Sequence, residues 1–299
     1  MSFALFIEQV FNSLQWGLML FLMAAGVTLV FGVMNLVNLA QGSMFMLGGY
    51  FAVMFIKWTG NYYLGVLLAL ILLLIVACVV EILILRPLYG RGHLDQVLAT
   101  FGLILFFNEL VIVIWDRQPL YLSGPGFLSS AIELLPDVPY PSYRLAITAV
   151  AVVVGILLYI LISRTRIGML IRAGADQRDM VEALGVNIKI LYTLVFGLGA
   201  ALAGLAGIMT GPLLSVESGV GEPILILTLV VIIIGGIGSI KGALVGALLV
   251  GLCDTFGRLL LPQLLGGTAG NAIASMTVYI LMAAILVWRP RGLVPASKG

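Results

Sequence analysis

Nine apolar stretches, at 8–31, 40–57, 62–86, 94–115, 143–163, 188–211, 222–238, 242–262 and 270–288, constrain this chain more than anything else in it. A helix rises 1.5 Å per residue, so about 20 apolar residues cross a hydrocarbon layer of about 30 Å. At that depth no water is present to satisfy backbone groups, which leaves helices or closed barrels as spanning structures. None of the stretches alternates with the period of two that a barrel strand needs. The expectation is an all-α, polytopic integral membrane helix bundle of about nine transmembrane helices, with eight to ten compatible with the spacing.

Composition points the same way. Of 299 residues, 62% are hydrophobic and only 9% charged, against about a quarter charged in soluble domains. No segment is long and polar enough for a second domain, so 1–299 reads as one transmembrane domain. Cys78 and Cys253 lie inside apolar runs and read as packing residues. A single histidine, His93, cannot build a multi-histidine metal site, so no metal is expected. The first apolar run has no basic region before it, which reads as a retained anchor and not a cleaved signal. The net charge of +2 is dispersed along loops, so no nucleic acid partner is implied.

The longest charge-rich interruption is 164–189, R-T-R-I-G-M-L-I-R-A-G-A-D-Q-R-D-M-V-E-A-L-G-V-N-I-K. Asp176 is placed to cap a short helix over 177–184, with Asp179 at its positive end and Gly185 where a left-handed residue ends it. Met180, Ala183 and Leu184 then share one face, and Arg178 pairs with Glu182 on another. Such a knob suits a groove on a soluble partner, or else is a solvated loop with a stray helical turn. Placing it in the cytoplasm puts eleven of the fifteen lysines and arginines inside. Lys57, Arg117, Arg144 and Arg258 remain outside, in keeping with the positive-inside bias. The N-terminus is then external and the C-terminus cytoplasmic.

Polar residues within the apolar stretches mark a candidate solute path. Asn35, Asn38, Gln41 and Ser43 fall beside several glycines. They fit either a broken helix facing a cavity or a turn whose Asn and Gln act as caps. Asn108 and Glu109 read either as path residues or as hydrogen-bonding positions between helices. Glu81 is placed to pair with Arg86, and Asp254 with Arg258 four residues on. Small residues four apart, from Ala200 to Gly204, from Ala203 through Gly207 to Gly211, and again at Gly238, Gly242 and Gly246, permit close helix packing. The glycine pairs near 42–49 and 235–246 hint at two related halves with interrupted helices. The segment 116–142 reads as an external, turn-rich loop.

The run G-A-D-Q-R-D-M-V-E-A-L-G-V-N at 174–187 resembles the coupling-helix segment of ABC importer permeases, although E-A-L-G at 182–185 departs from their commonest E-A-x-x-x-G spacing. With 32–50 (G-V-M-N-L-V-N-L-A-Q-G-S-M-F-M-L-G-G-Y), 235–246 (G-G-I-G-S-I-K-G-A-L-V-G) and 288–293 (W-R-P-R-G-L), the chain resembles the branched-chain amino acid ABC permease family, in its H-type branch. Urea-transporter permeases are close relatives within that resemblance. It implies coupling to an ATPase through Ala175, Asp176, Asp179, Met180, Glu182, Ala183, Leu184 and Gly185. It also implies two ABC ATPase subunits, a second permease subunit (an M-type partner or a second copy), a periplasmic solute-binding protein and a bacterial inner membrane. ATP and Mg would sit in the ATPases, with no cofactor in this chain. The sequence supports that division, since it has no G-x-x-x-x-G-K-[ST] loop and no credible Ser/His/Asp set. No catalytic residue is therefore expected. The rival reading, an ion-coupled transporter, has only Glu109 and Asp254 as ionisable candidates near mid-membrane.

Overall fold

The computed structural model describes residues 3–36, 38–128, 130–135 and 138–295, with Phe3, Leu134, Leu135, Val138, Arg178 and Asp179 described by their backbone alone. In chain order its elements are α1 (Phe3–Met34), α2 (Gln41–Thr59), α3 (Tyr62–Val80), α4 (His93–Trp115), β1 (Ala131–Leu135), β2 (Val138–Pro141) and α5 (Ser142–Arg164). There follow α6 (Arg166–Asp176), α7 (Arg178–Ala183), α8 (Ile188–Thr210), α9 (Gly221–Gly235), α10 (Ile240–Leu265) and α11 (Gly267–Trp288). Each of the nine apolar stretches holds one long helix.

Seven of these helices, among the described residues, are long and apolar enough to cross a membrane: α1, α3 with its continuation to Leu88, α4, α5, α8, α10 and α11. Of the nine helices in the apolar stretches, α2 and α9 fall short of that measure. The 15-residue α9 is too short, because the chain breaks at Gly236 with φ +110°. Three glycines together with Gln41 and Ser43 dilute the apolar character of α2. The loop expected over 116–142 contains an antiparallel hairpin, in which Ala131 faces Pro141 and Ile132 faces Tyr140. Two strands tolerate Pro139 and Pro141 because both are sheet edges.

The chain divides into two compact units. One comprises 25–123 and 154–226, and α2 is its centre. Helix α2 is buried from Gln41 to Val53 and packs on α3 and α8. Glycine makes the approach possible: a Cβ on Gly48 would lie 2.5 Å from the Gly204 carbonyl, and one on Gly207 would lie 2.0 Å from that of Phe45. In the same unit α3 continues past Val80 through a π-helical turn (Glu81–Leu85) and a 3₁₀ turn (Arg86–Leu88).

The other unit comprises 1–24, 124–153 and 227–299. Its α10 and α11 form a helical hairpin joined at Gly266, φ +87°. Gly235 and Gly242 stand backbone to backbone where α9 turns into α10. The chain after α11 returns to this turn, with Leu293 N–H donating to Ile234 O and Val294 N–H to Gly235 O, both at 2.9 Å. Those bonds satisfy carbonyls that the end of α9 would leave unpaired. The motifs at 235–246 and 288–293 therefore meet in space. Gly242 and Gly246 pack closely, whereas Gly238, φ +81°, serves the turn itself.

Candidate functional site

The charged segment folds as two helices, not one. Thr165 caps α6, its Oγ1 accepting from Gly168 N–H at 3.1 Å, and Asn187 caps α8 by accepting from Lys189 and Ile190 N–H. Both caps are visible in the sequence as a short polar residue before an apolar-periodic run. Asp176 does not cap α7, contrary to expectation. It is the last residue of α6, and Gln177 (φ −141°, ψ 81°) is the junction to α7 and makes no side-chain cap.

The end of α7 is as the sequence suggests. Gly185, φ +87°, donates to Glu182 O at 2.9 Å, and Val186 N–H reaches back to Val181 O at 3.3 Å, the paired bonds of a Schellman stop. Val181 is buried, while Met180 and Leu184, four residues apart, are 60% and 79% exposed. Ala175, Asp176, Glu182, Ala183 and Gly185 are exposed beside them. The side chains of Asp179 and of Arg178, expected to pair with Glu182, lie outside the described residues. A Cβ on Gly174 would meet Leu191 at 3.0 Å, so α6 rests on the first turn of α8.

The candidate path residues separate into three groups. Asn35, φ +50°, ends α1 in the left-handed region and is exposed. Asn38 and Gln41 are buried and form the turn into α2: Asn38 Oδ1 accepts from Ala40 N–H, Asn38 Nδ2 donates to Gln41 Oε1, and Gln41 Nε2 donates to Gly199 O at 2.7 Å. Neither side chain caps α2, whose N-cap residue Ala40 has no side-chain hydrogen bond. Glu109 is exposed on α4.

Ser43 and Asn108 are brought together. They line one crevice with Leu39, Gly42, Met46, Ile104, Gly221 and Glu222. Asn108 Nδ2 donates to Glu222 Oε1, and Ser218 Oγ donates to Asn108 O at 3.1 Å. The Ser43 hydroxyl is buried and has no hydrogen-bond partner. Glu222 escaped the sequence reading because it stands at the edge of its apolar stretch, where an acid looks like a helix-start signal.

A second polar cluster holds the continued end of α3. Glu81 is fully buried and accepts from Arg86 (Nη2, 2.9 Å; Nε, 3.3 Å), Tyr89 OH (2.6 Å) and Thr193 Oγ1 (2.7 Å). Thr193 lies in the second turn of α8, close after the α7 stop. In the other unit Asp254 pairs with Arg258 at 2.8 Å, and Asn12 accepts from Tyr140 and Arg144.

The chain is 27% identical over 303 residues to the high-affinity branched-chain amino acid transport system permease protein BraD of Pseudomonas aeruginosa, covering 97% of this chain and 95% of that protein. It is 24% identical over 299 residues to the corresponding protein LivH of Escherichia coli K12, covering 95% and 96%. It is 26% identical over 294 residues to the ribose import permease protein RbsC of the same strain, covering 94% and 85%. The solved structure titled PsaBC from Streptococcus pneumoniae in complex with Fab shares the fold, with a TM-score of 0.51 at 11% identity over 92% of this chain and 90% of that one. The model of the family described as branched-chain amino acid transport system / permease component matches residues 9–287, and the chain belongs to that family.

Proposed function

We propose that this chain is the membrane-spanning permease subunit of an ABC importer for branched-chain or related small amino acids, moving solute by alternating access. It works with two ATPase subunits that bind ATP and Mg, a second permease subunit and a periplasmic solute-binding protein. It lies in the bacterial inner membrane with α6 and α7 in the cytoplasm.

One observation carries the reading. Helix α7 ends in a fixed Schellman stop, presents Met180 and Leu184 outward, and leads within a few residues into α8. A rigid apolar bump of this kind fits a groove on a soluble partner and passes a push directly to a long helix. The exposed residues 175, 176 and 182–185 form the rest of that contact.

Met180→Glu with Leu184→Glu tests it. Both side chains are exposed, so the fold is expected to change by no more than about 0.5 kcal/mol. The ATPase subunits should no longer co-purify with the permease, and ATP-dependent leucine uptake into vesicles should fall about tenfold or more, as loss of a buried apolar anchor pair implies. Retention of the ATPases and of uptake would remove α7 from the coupling role. Uptake abolished by an uncoupler at constant ATP would favour an ion-coupled mechanism instead.

A further inference from the structure

We propose that the crevice where α2 and α9 begin is a binding site for a zwitterionic α-amino acid, its carboxylate held by the first turn of α2 and its ammonium by Glu222. The proposal rests on the importer reading and takes it to atoms of this chain.

The first observation is where α2 starts. Gln41, its first residue, bonds to Gly199, the twelfth of the 23 residues of the spanning helix α8. The N-terminus of α2 therefore sits half-way along a membrane-crossing helix. Ala40 has no side chain to cap it, Asn38 Oδ1 is already committed to Ala40 N–H, and the first helical bond is Met44 N–H to Ala40 O. The N–H groups of Gln41, Gly42 and Ser43 are thus the unfilled donors of the helix start, at the positive end of its dipole. Donors in this arrangement take carboxylates and other anions, and interrupted helices in transporters aim them at solute.

The second observation is independent of the first. Ser43 is only 4% exposed, its hydroxyl has no partner, and it lines the crevice. A buried hydroxyl without a hydrogen bond is costly, and here it adds a donor to the same spot.

The facing wall has the opposite sign. Glu222 stands in the first turn of α9 and takes one bond from Asn108, which leaves a carboxylate further acceptor positions. Leu39, Met46 and Ile104 supply apolar lining for an aliphatic side chain. Donors on one wall and an acid on the other select a ligand carrying both charges. A simple carboxylic acid would meet Glu222 unfavourably, and an amine would find no anion partner for α2. In this structure the crevice is closed, too narrow for a water molecule, with the Gly42 and Gly221 backbones in contact. A ligand enters when α2 and α9 part.

The test uses the complete importer in lipid vesicles, with radiolabelled leucine delivered by saturating binding protein. Ser43→Ala removes one unpaired oxygen and Glu222→Gln keeps the side-chain shape, so neither should prevent folding. In each, leucine imported per ATP hydrolysed should fall about tenfold, the cost of a lost hydrogen bond to a charged group. Ser43→Thr, which keeps the hydroxyl, should restore it, and Ser275→Ala on the exposed face of α11 should change nothing. In a second readout, leucine should slow alkylation of Ser43→Cys by iodoacetate during turnover, and isocaproic acid should not. Wild-type import by both Ser43→Ala and Glu222→Gln, an equal loss in Ser275→Ala, or alkylation indifferent to leucine would overturn the site. Failure of the unaltered complex to import leucine with ATP would instead overturn the importer reading.

Discussion

At the scale of single residues the least ordinary feature is Glu81, an acid with no exposed surface at the end of a spanning helix. An isolated ionised carboxylate is unstable in such a place, and this one is held by donors from three side chains. Arg86 is partly exposed, 30% of its side chain, so its removal should cost about 3 kcal/mol, the lower end for a broken buried pair. Tyr89→Phe removes one donor to the carboxylate and should cost about 1.5–2 kcal/mol. Thermal unfolding in detergent should therefore rank Arg86→Ala below Tyr89→Phe, and Arg86→Ala melting with the parent would show that the cluster holds nothing. Burial first, and the bond to Glu81 second, raise the Tyr89 phenol above its ordinary value. Because the folded value is the higher one, the contribution is complete below pH about 10 and fades only as pH climbs through the folded value. Melting temperatures of the parent and of Tyr89→Phe should then keep a constant gap between pH 6 and 9.

At the scale of helices, small residues decide which faces touch. Gly48→Ala would press a methyl to 2.5 Å from the Gly204 carbonyl, and Gly207→Ala one to 2.0 Å from that of Phe45. Each should lower stability by about 1–3 kcal/mol, as overpacking does. Gly102 sits on α4 with nothing within 4 Å, so Gly102→Ala should be neutral or gain up to about 1 kcal/mol from helix propensity. The contrast, read as melting temperature in detergent, separates packing glycines from idle ones, and loss in Gly102→Ala equal to that in Gly48→Ala would defeat it. The sequence showed the small-residue spacing and all nine apolar helices, because both are periodic and local. It did not show that Gly48 faces Gly204 or that α2 starts half-way along α8, since partners 150 residues apart leave no local trace. Asp176 was misread for a related reason. Its cap signal is genuine in type, but the amphipathic α6 runs through it, held at its own start by Thr165. Ser43 and Asn108 were legible as polar groups among apolar ones; that they share a crevice with Glu222 was not.

At the scale of the whole chain, the distribution of charge makes a claim about sidedness that the helix order can check. Tyr121 is 76% exposed ahead of α5, and Ala175 is exposed near the end of α6. Between them lies one spanning helix, α5. Whatever the orientation, the two positions must open to opposite faces of the membrane. The excess of arginine and lysine around α6 and α7 predicts that these helices lie on the cytoplasmic face, because cytoplasmic loops retain positive charge. With Cys78 and Cys253 replaced by alanine, Tyr121→Cys should react with a membrane-impermeant maleimide on intact spheroplasts. Ala175→Cys should react only after permeabilisation, and should be shielded when the ATPase subunits are present. Labelling of both from one side would break the assignment of α5 as a span. Labelling in the reversed sense would leave the helices standing and take α7 out of reach of any cytoplasmic motor.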